Sequence, residues 1–179
     1  MILSIMGFAG TGKTLLGVYF SARYKYLGNY EIISNLKKLS FKDYDVEKDF
    51  ILLVDSIRSN RNLLPEKKLL FVDEIQQYLD SRESATSKNK KLTRYFYQIR
   101  KFGFDFIYTL QDFHSVDIRL RRITEYFVLP SYDKRNKILS YELYGVDEEL
   151  ITTRSIRIPD KLFNMYDTYE DIDNSVILL

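Results

Sequence analysis

The chain has no cysteine, no tryptophan and a single histidine, His114. Without cysteine there is no disulfide, no thiolate zinc site and no thiol nucleophile. One histidine gives no basis for a dedicated metal cluster, and His114 reads as a surface loop residue. Long apolar runs are missing too. Nothing approaches the roughly 18 apolar residues of a membrane span. The apolar stretch Ile2–Met6 has no basic leader, so no signal peptide is expected. A cytoplasmic protein without a membrane span follows. The formal net charge is only +2, so bulk charge selects no partner. At 179 residues, 45% apolar and 29% charged, the composition suits one soluble domain over residues 1–179.

Glycine is scarce, which makes its clustering informative: three of the seven glycines lie in Gly7-Phe8-Ala9-Gly10-Thr11-Gly12-Lys13-Thr14. The run follows a short apolar strand and opens a helix expected from Lys13 to about Leu27. Gly7, Gly12, Lys13 and Thr14 satisfy G-x-x-x-x-G-K-[ST], a loop whose successive N–H groups cradle phosphate at a helix N-terminus. Gly7, Phe8, Ala9, Gly10, Thr11, Gly12, Lys13, Thr14 and Leu15 are therefore the candidate nucleotide-binding residues. Lys13 is expected to reach the β- and γ-phosphates of ATP, and the Thr14 hydroxyl to ligate Mg²⁺.

Leu69-Leu70-Phe71-Val72 reads as a buried strand that delivers Asp73 and Glu74 to the sheet edge. Asp73 is the second candidate Mg²⁺ ligand and Glu74 the candidate base for the attacking water. An acidic pair after a strand can also simply cap the next helix. Beside a phosphate loop, a glutamate next to the magnesium aspartate points to water attack on ATP. Phe104 to Leu110 reads as another buried strand, and Gln111 at its end is either a γ-phosphate sensor or a polar strand terminus. Thr109 is passed over here, on the ground that the strand turns it away from Gln111.

Further strands are expected at 31–34, 126–129 (stopped by Pro130), 138–144 and 155–158, and helices at 49–59 and 91–102. Apolar strands separated by helical patterns imply an α/β fold, with a central, mostly parallel sheet covered by helices on both faces. Residues 81–89 read as a polar, mobile loop. Lys88, Lys90, Lys91, Arg94, Arg100 and Lys101 come without an acidic residue between Ser84 and Phe104, whereas the last twenty residues are acidic. The basic helix is either a nucleic-acid contact or a solvated face opposite the core stripe of Leu92, Tyr95, Phe96 and Ile99. Arg121, within Arg119–Arg122, and Arg100 are rival candidates for an arginine offered to a neighbouring subunit's nucleotide; a solvated basic face is the competing reading.

In this order, GFAGTGKT, EIISNLKKL, LLFVDEIQQYL, QIRKFGFDFIYTLQ, VDIRLR and FNMYDTYE resemble zonula occludens toxin-like proteins, a branch of the HerA/FtsK superfamily of P-loop ATPases. The resemblance covers essentially the whole chain. Its more specific marks are Ser34-Asn35, the basic-glycine-aspartate lead into a strand ending in glutamine, and YDTYE. It implies a RecA-like core in an oligomeric, often hexameric, ring that hydrolyses ATP to move double-stranded DNA. By it, Lys13 and Thr14 map onto Walker A, Asp73 and Glu74 onto Walker B, and Gln111 onto the sensor; no arginine finger transfers. The absence of the membrane segment and large second domain of phage assembly proteins favours a packaging or translocation motor of an archaeal virus or mobile element. Capsid or portal proteins would then be its partners. The alternatives are a morphogenesis protein in which ATP acts as a switch, and a small-molecule P-loop kinase with 81–91 as its lid. Asp73, Glu74 and Gln111 argue against the kinase.

Overall fold

The computed structural model describes residues 1–60, 67–79, 87–112 and 118–167. The strands are β1 (Ile2–Met6), β2 (Glu31–Ser34), β3 (Tyr44–Asp45), β4 (Lys68–Val72), β5 (Asp105–Leu110), β6 (Tyr126–Asp133), β7 (Ile138–Gly145) and β8 (Leu150–Arg157). They form one sheet in the order β3-β2-β4-β5-β1-β6-β7-β8. From β3 to β6 every neighbouring pair is parallel. β6, β7 and β8 continue as an antiparallel meander. The helices are α1 (Lys13–Gly28), α2 (Ile51–Ser59), α3 (Gln76–Leu79), α4 (Ser87–Phe96), α5 (Ile118–Ile123) and α6 (Asp160–Phe163).

The central strands are apolar throughout because both faces are covered. On one face α2, α4 and α5 pack over Leu70, Val72, Phe106 and Tyr108. Phe50, Phe96 and Phe106 stack there at centroid distances of 5.7 Å in each step. On the other face α1 lays Leu15, Leu16 and Val18 over Ile5, Phe71 and Ile107. Gly17 allows that approach: a Cβ would sit 2.4 Å from the Phe71 ring. Asn29 ends α1 in the left-handed conformation (φ 56°), its N–H donating to the Tyr24 carbonyl, a turn that asparagine tolerates.

The sheet is thus mostly parallel, as expected, with an antiparallel wing at one side. β6 and β7 are joined by a four-residue turn, which forces antiparallel pairing. Asp133 holds that turn by accepting from the Arg135 N–H at 2.9 Å and the Asn136 side-chain amide at 2.7 Å. Pro130 does not stop β6. The pairing of β1 with β6 reaches only Val128, so Pro130 sits where β6 has a partner on one side alone and its missing N–H is tolerated. β8 starts at Leu150 rather than Ser155, its exposed polar residues having hidden the strand. The helix expected from Asp49 is entered through a π-helical turn, Val46–Phe50, capped by Asp45, whose side chain accepts from the Glu47 and Lys48 N–H groups. α4 starts at Ser87, so 87–89 of the expected loop are helical. It stops at Phe96, and Ile99–Phe102 form a separate 3₁₀ turn closed by Gly103. Residues 81–86, His114 and the acidic stretch 168–179 lie outside the described residues.

Candidate active site

β1 runs straight into the glycine loop. Its end is fixed by Ile5, fully buried between β5 and β6. Gly10 and Gly12 have φ of 81° and 93°, the left-handed region that side chains disfavour. A Cβ on Gly10 would meet nothing within 4 Å, whereas one on Gly12 would lie 2.9 Å from Tyr132 Cβ and from Leu139 Cδ1. The β6–β7 hairpin is therefore the floor of the loop. Thr11 ties the loop to itself, donating through Oγ1 to the Phe8 carbonyl at 2.9 Å. Phe8 stands out at the tip, 84% exposed, and Leu15 is buried in the core beneath.

α1 begins here with no side-chain cap and no acidic residue in its first turn. Its leading N–H groups and the positive end of its dipole are left to an anion. Lys13 is buried, with Nζ 3.2 Å from the Phe8 carbonyl, so its charge is held across the loop rather than released to water.

Asp73, one residue past β4, is buried as well. A buried carboxylate needs donors, and Asp73 has two hydroxyls. Thr14 Oγ1 donates, with 2.9 and 3.1 Å to the two carboxylate oxygens, and Thr109 Oγ1 donates to Oδ1 at 2.6 Å. The backbone of Asp73 is clamped from the other side. Asn35 donates through Nδ2 to the Asp73 carbonyl and accepts from its N–H, both at 2.8 Å, and Gln77 Nε2 reaches the same carbonyl at 2.9 Å. Asn35 thus has a physical role: it fixes the peptide that carries the aspartate.

Glu74 has a φ of 52°, which a non-glycine residue adopts at a strain of about 1–3 kcal/mol. Thr109 holds it there: the hydroxyl that donates to Asp73 accepts from the Glu74 N–H at 2.8 Å. The Thr109 carbonyl accepts from the Ile75 N–H at 3.0 Å. The Gln76 side-chain amide donates to the Glu74 carboxylate through Nε2, while Gln76 Oε1 is buried with no partner. Donating to a carboxylate fixes which end of that amide faces Glu74.

Thr109 is the residue that sequence reasoning missed. A strand repeats every two residues, so Thr109 and Gln111 share a side, and Thr109 is the inner of the two. Gln111 follows β5 and is exposed. The signal was the insertion of β5 between β1 and β4, which sequence alone does not give. Lys13, Thr14, Asp73 and Glu74 are brought together; the arginines are not. Arg100 lies before the first residue of β5, at the opposite edge of the sheet, paired with Glu125 at 3.2 Å. Arg121 is half-buried, against a cavity of about 620 Å³ formed by α5, β6 and β7.

The family model of the zonular occludens toxin, Zot, matches residues 1–171. The chain belongs to the Zot family. No curated protein sequence matches it. Among solved structures, the N-terminal domain of zonular occludens toxin from Neisseria meningitidis aligns with a TM-score of 0.61 at 16% identity, over 93% of this chain and 98% of that one. The genome-packaging NTPase B204 of Sulfolobus turreted icosahedral virus 2, in complex with ATP-γS, gives 0.55 at 13%, over 88% and 97%. The conjugation coupling protein TcpA of pCW3, with ATPγS, gives 0.57 at 12%, over 89% of this chain and 61% of that one. The fold of this Zot-family chain is that of RecA-like P-loop NTPases. Among the described residues, no helix is long and apolar enough to cross a membrane.

Proposed function

We propose that this Zot-family chain is an Mg²⁺-dependent ATPase whose hydrolysis drives the movement of double-stranded DNA. The observation that carries the reading is the Thr109 hydroxyl, which joins the candidate metal aspartate to the candidate base in one hydrogen-bonded unit. The phosphates of ATP lie against the N–H groups of residues 10–15, with Lys13 turned from the Phe8 carbonyl to the β- and γ-phosphates.

The residues present fit magnesium. Thr14 and Asp73 offer hard oxygens, and no group of three or more histidine, aspartate or glutamate side chains occurs among the described residues to form an all-protein cage. Bound there, Mg²⁺ would neutralise charge on the β- and γ-phosphate oxygens. Thr14 and Asp73 would hold the metal, and the bond from Thr109 would keep the Asp73 carboxylate oriented for it. Glu74 accepts the proton of the attacking water once its carboxylate leaves the Gln76 amide.

DNA as the cargo is supported by the packaging and conjugation proteins to which the fold is similar. On this reading the chain works as a ring, probed first as a hexamer, with ATP between subunits. Its setting is the cytoplasm of a cell hosting a virus or mobile element, and capsid or portal proteins dock onto the ring. The deciding measurement is the ATP hydrolysis rate with and without duplex DNA, on a sample of known oligomeric state. Stimulation by DNA in an oligomer is expected; an unstimulated monomer overturns the motor. Binding of ATP with no DNA response would instead favour the switch, a reading to which the Glu74–Gln76 contact lends support.

A further inference from the structure

Two sequence segments that sequence analysis treated apart, the basic helix and the arginine run before β6, meet in space. α4 and α5 pack on the same face of the sheet. Between them is a concavity of about 440 Å³ lined by Arg94, Tyr97, Gln98, Arg119, Arg122 and Ile123. Three guanidinium groups line it, and no acidic side chain does among the described residues.

Two cations of α4, Lys91 and Arg94, face different neighbours. Lys91 turns toward α2 and is neutralised by Asp55 at 2.5 Å, beside Tyr95. Arg94, three residues on, turns toward α5 and is exposed. On α5, Arg119 and Arg122 are one helical turn apart and both exposed. Arg119 lies over the Tyr97 ring, 4.5 Å from its centroid, and both residues line the concavity. Among the described residues no ion pair neutralises Arg94 or Arg122.

We propose that Arg94, Arg119 and Arg122 form a binding pocket for the phosphates of a nucleic-acid backbone. The inference rests on the DNA-moving reading and names the surface that meets the cargo. Guanidinium groups present parallel N–H donors that match phosphate oxygens in pairs, and the Gln98 amide adds a neutral donor. Several arginines in one concavity suit a polymer that presents a phosphate every few ångströms better than they suit one terminal phosphate. The latter, supplied by a neighbouring copy's nucleotide, offers the same chemistry, and the experiment separates the two.

The test is binding of a labelled 30-base-pair duplex, followed by fluorescence anisotropy from 50 to 200 mM salt. Wild type is compared with the Arg94→Ala/Arg122→Ala double variant and with Lys134→Ala/Arg135→Ala, which removes the same charge from the exposed β6–β7 turn. Binding of an ATP analogue checks that each variant is folded. The pocket variant is expected to bind about tenfold more weakly near 0.1 M salt, with its salt exponent reduced by about 1.8, two phosphate contacts at roughly 0.9 each. Arg94→Lys/Arg122→Lys should recover the exponent but not the full affinity, because charge returns without the fork. Equal affinity and exponent in the pocket and control variants overturn the pocket and leave the motor reading intact. Unchanged DNA binding with lost DNA-free hydrolysis assigns the arginines to a neighbour's nucleotide and also overturns it. No duplex binding by wild type even at 50 mM salt fails the motor reading itself, and the pocket with it.

Discussion

The parallel part of the sheet and its antiparallel wing do different work with the same chain. In the parallel part, β4 and β5 are buried along most of their length, and Asp73, one residue past β4, meets Thr109 near the end of β5 and Thr14 of α1 in hydrogen bonds at one edge. In the wing, one face rests on α1 and α6 through Val128, Leu139 and Tyr132, while the other leaves Leu129, Leu150 and Val146 exposed. The parallel part carries the chemistry, and the wing carries the loop that the chemistry depends on. On the proposed function, residues that would touch the reacting phosphates and residues that shape their container belong to separate structural units, joined where β1 meets β6.

Substitutions can pull the two apart. The largest effect is expected from Glu74→Gln, which should retain ATP binding but lose roughly 10²–10⁴ in turnover, the range for a removed general base. Single-turnover hydrolysis beside an equilibrium binding assay reads both, and full activity would sink the base assignment. In the wing the converse is expected. Leu139 is fully buried under Gly12, and Leu139→Ala should lower unfolding free energy by about 2–5 kcal/mol and weaken ATP binding, while leaving turnover per ATP-bound molecule unchanged. Denaturant unfolding with an active-site titration measures this; a turnover loss without a stability loss would move the wing into the chemistry.

Thr109→Val sharpens the comparison, because it keeps the shape of the strand and removes one hydroxyl. It leaves the Glu74 N–H without its acceptor, which should cost about 1–3 kcal/mol of stability and lower kcat with little change in ATP affinity. Thr109→Ser should restore kcat; failure of that rescue would mean that packing, not the hydroxyl, matters. The smallest effect lies far from either region. Asp55 is raised by partial desolvation, but hydrogen bonds from Lys91 and Tyr95 outweigh this and hold it below the usual carboxylate range. Its contribution is therefore present above the ordinary aspartate value near 3.9 and lost as pH falls through the lower folded value. Thermal unfolding of wild type and Asp55→Asn should differ at neutral pH and converge in acid. A constant offset would count against the tie between α2 and α4.

The same division explains what the sequence revealed. Gly7 to Thr14 and Leu69 to Glu74 were legible because a loop that wraps phosphate and a strand that buries on both faces each restrict residue type locally. Thr109 and Asn35 were not legible as site residues, because their roles come from strand order: β5 between β1 and β4, and β2 beyond β4. Asn35 was noticed through the resemblance, but its clamp on Asp73 needs the fold. The wing was misread where its rules differ. A proline would end a central strand, but Pro130 is harmless where β1 no longer pairs, and β8, exposed along most of its length, lacks the apolar run that marks a strand elsewhere.

The floor beneath Gly12 sets an order of events during synthesis. The eight residues of the loop emerge from the ribosome more than a hundred residues before Tyr132 and Leu139, against which Gly12 is seated. Until the β6–β7 hairpin has formed, a nascent chain has the glycines, the lysine and the threonine with nothing to set them in place. On the proposed function, nucleotide binding is a property that the growing chain acquires only with the hairpin, although the loop that names it is made more than a hundred residues earlier.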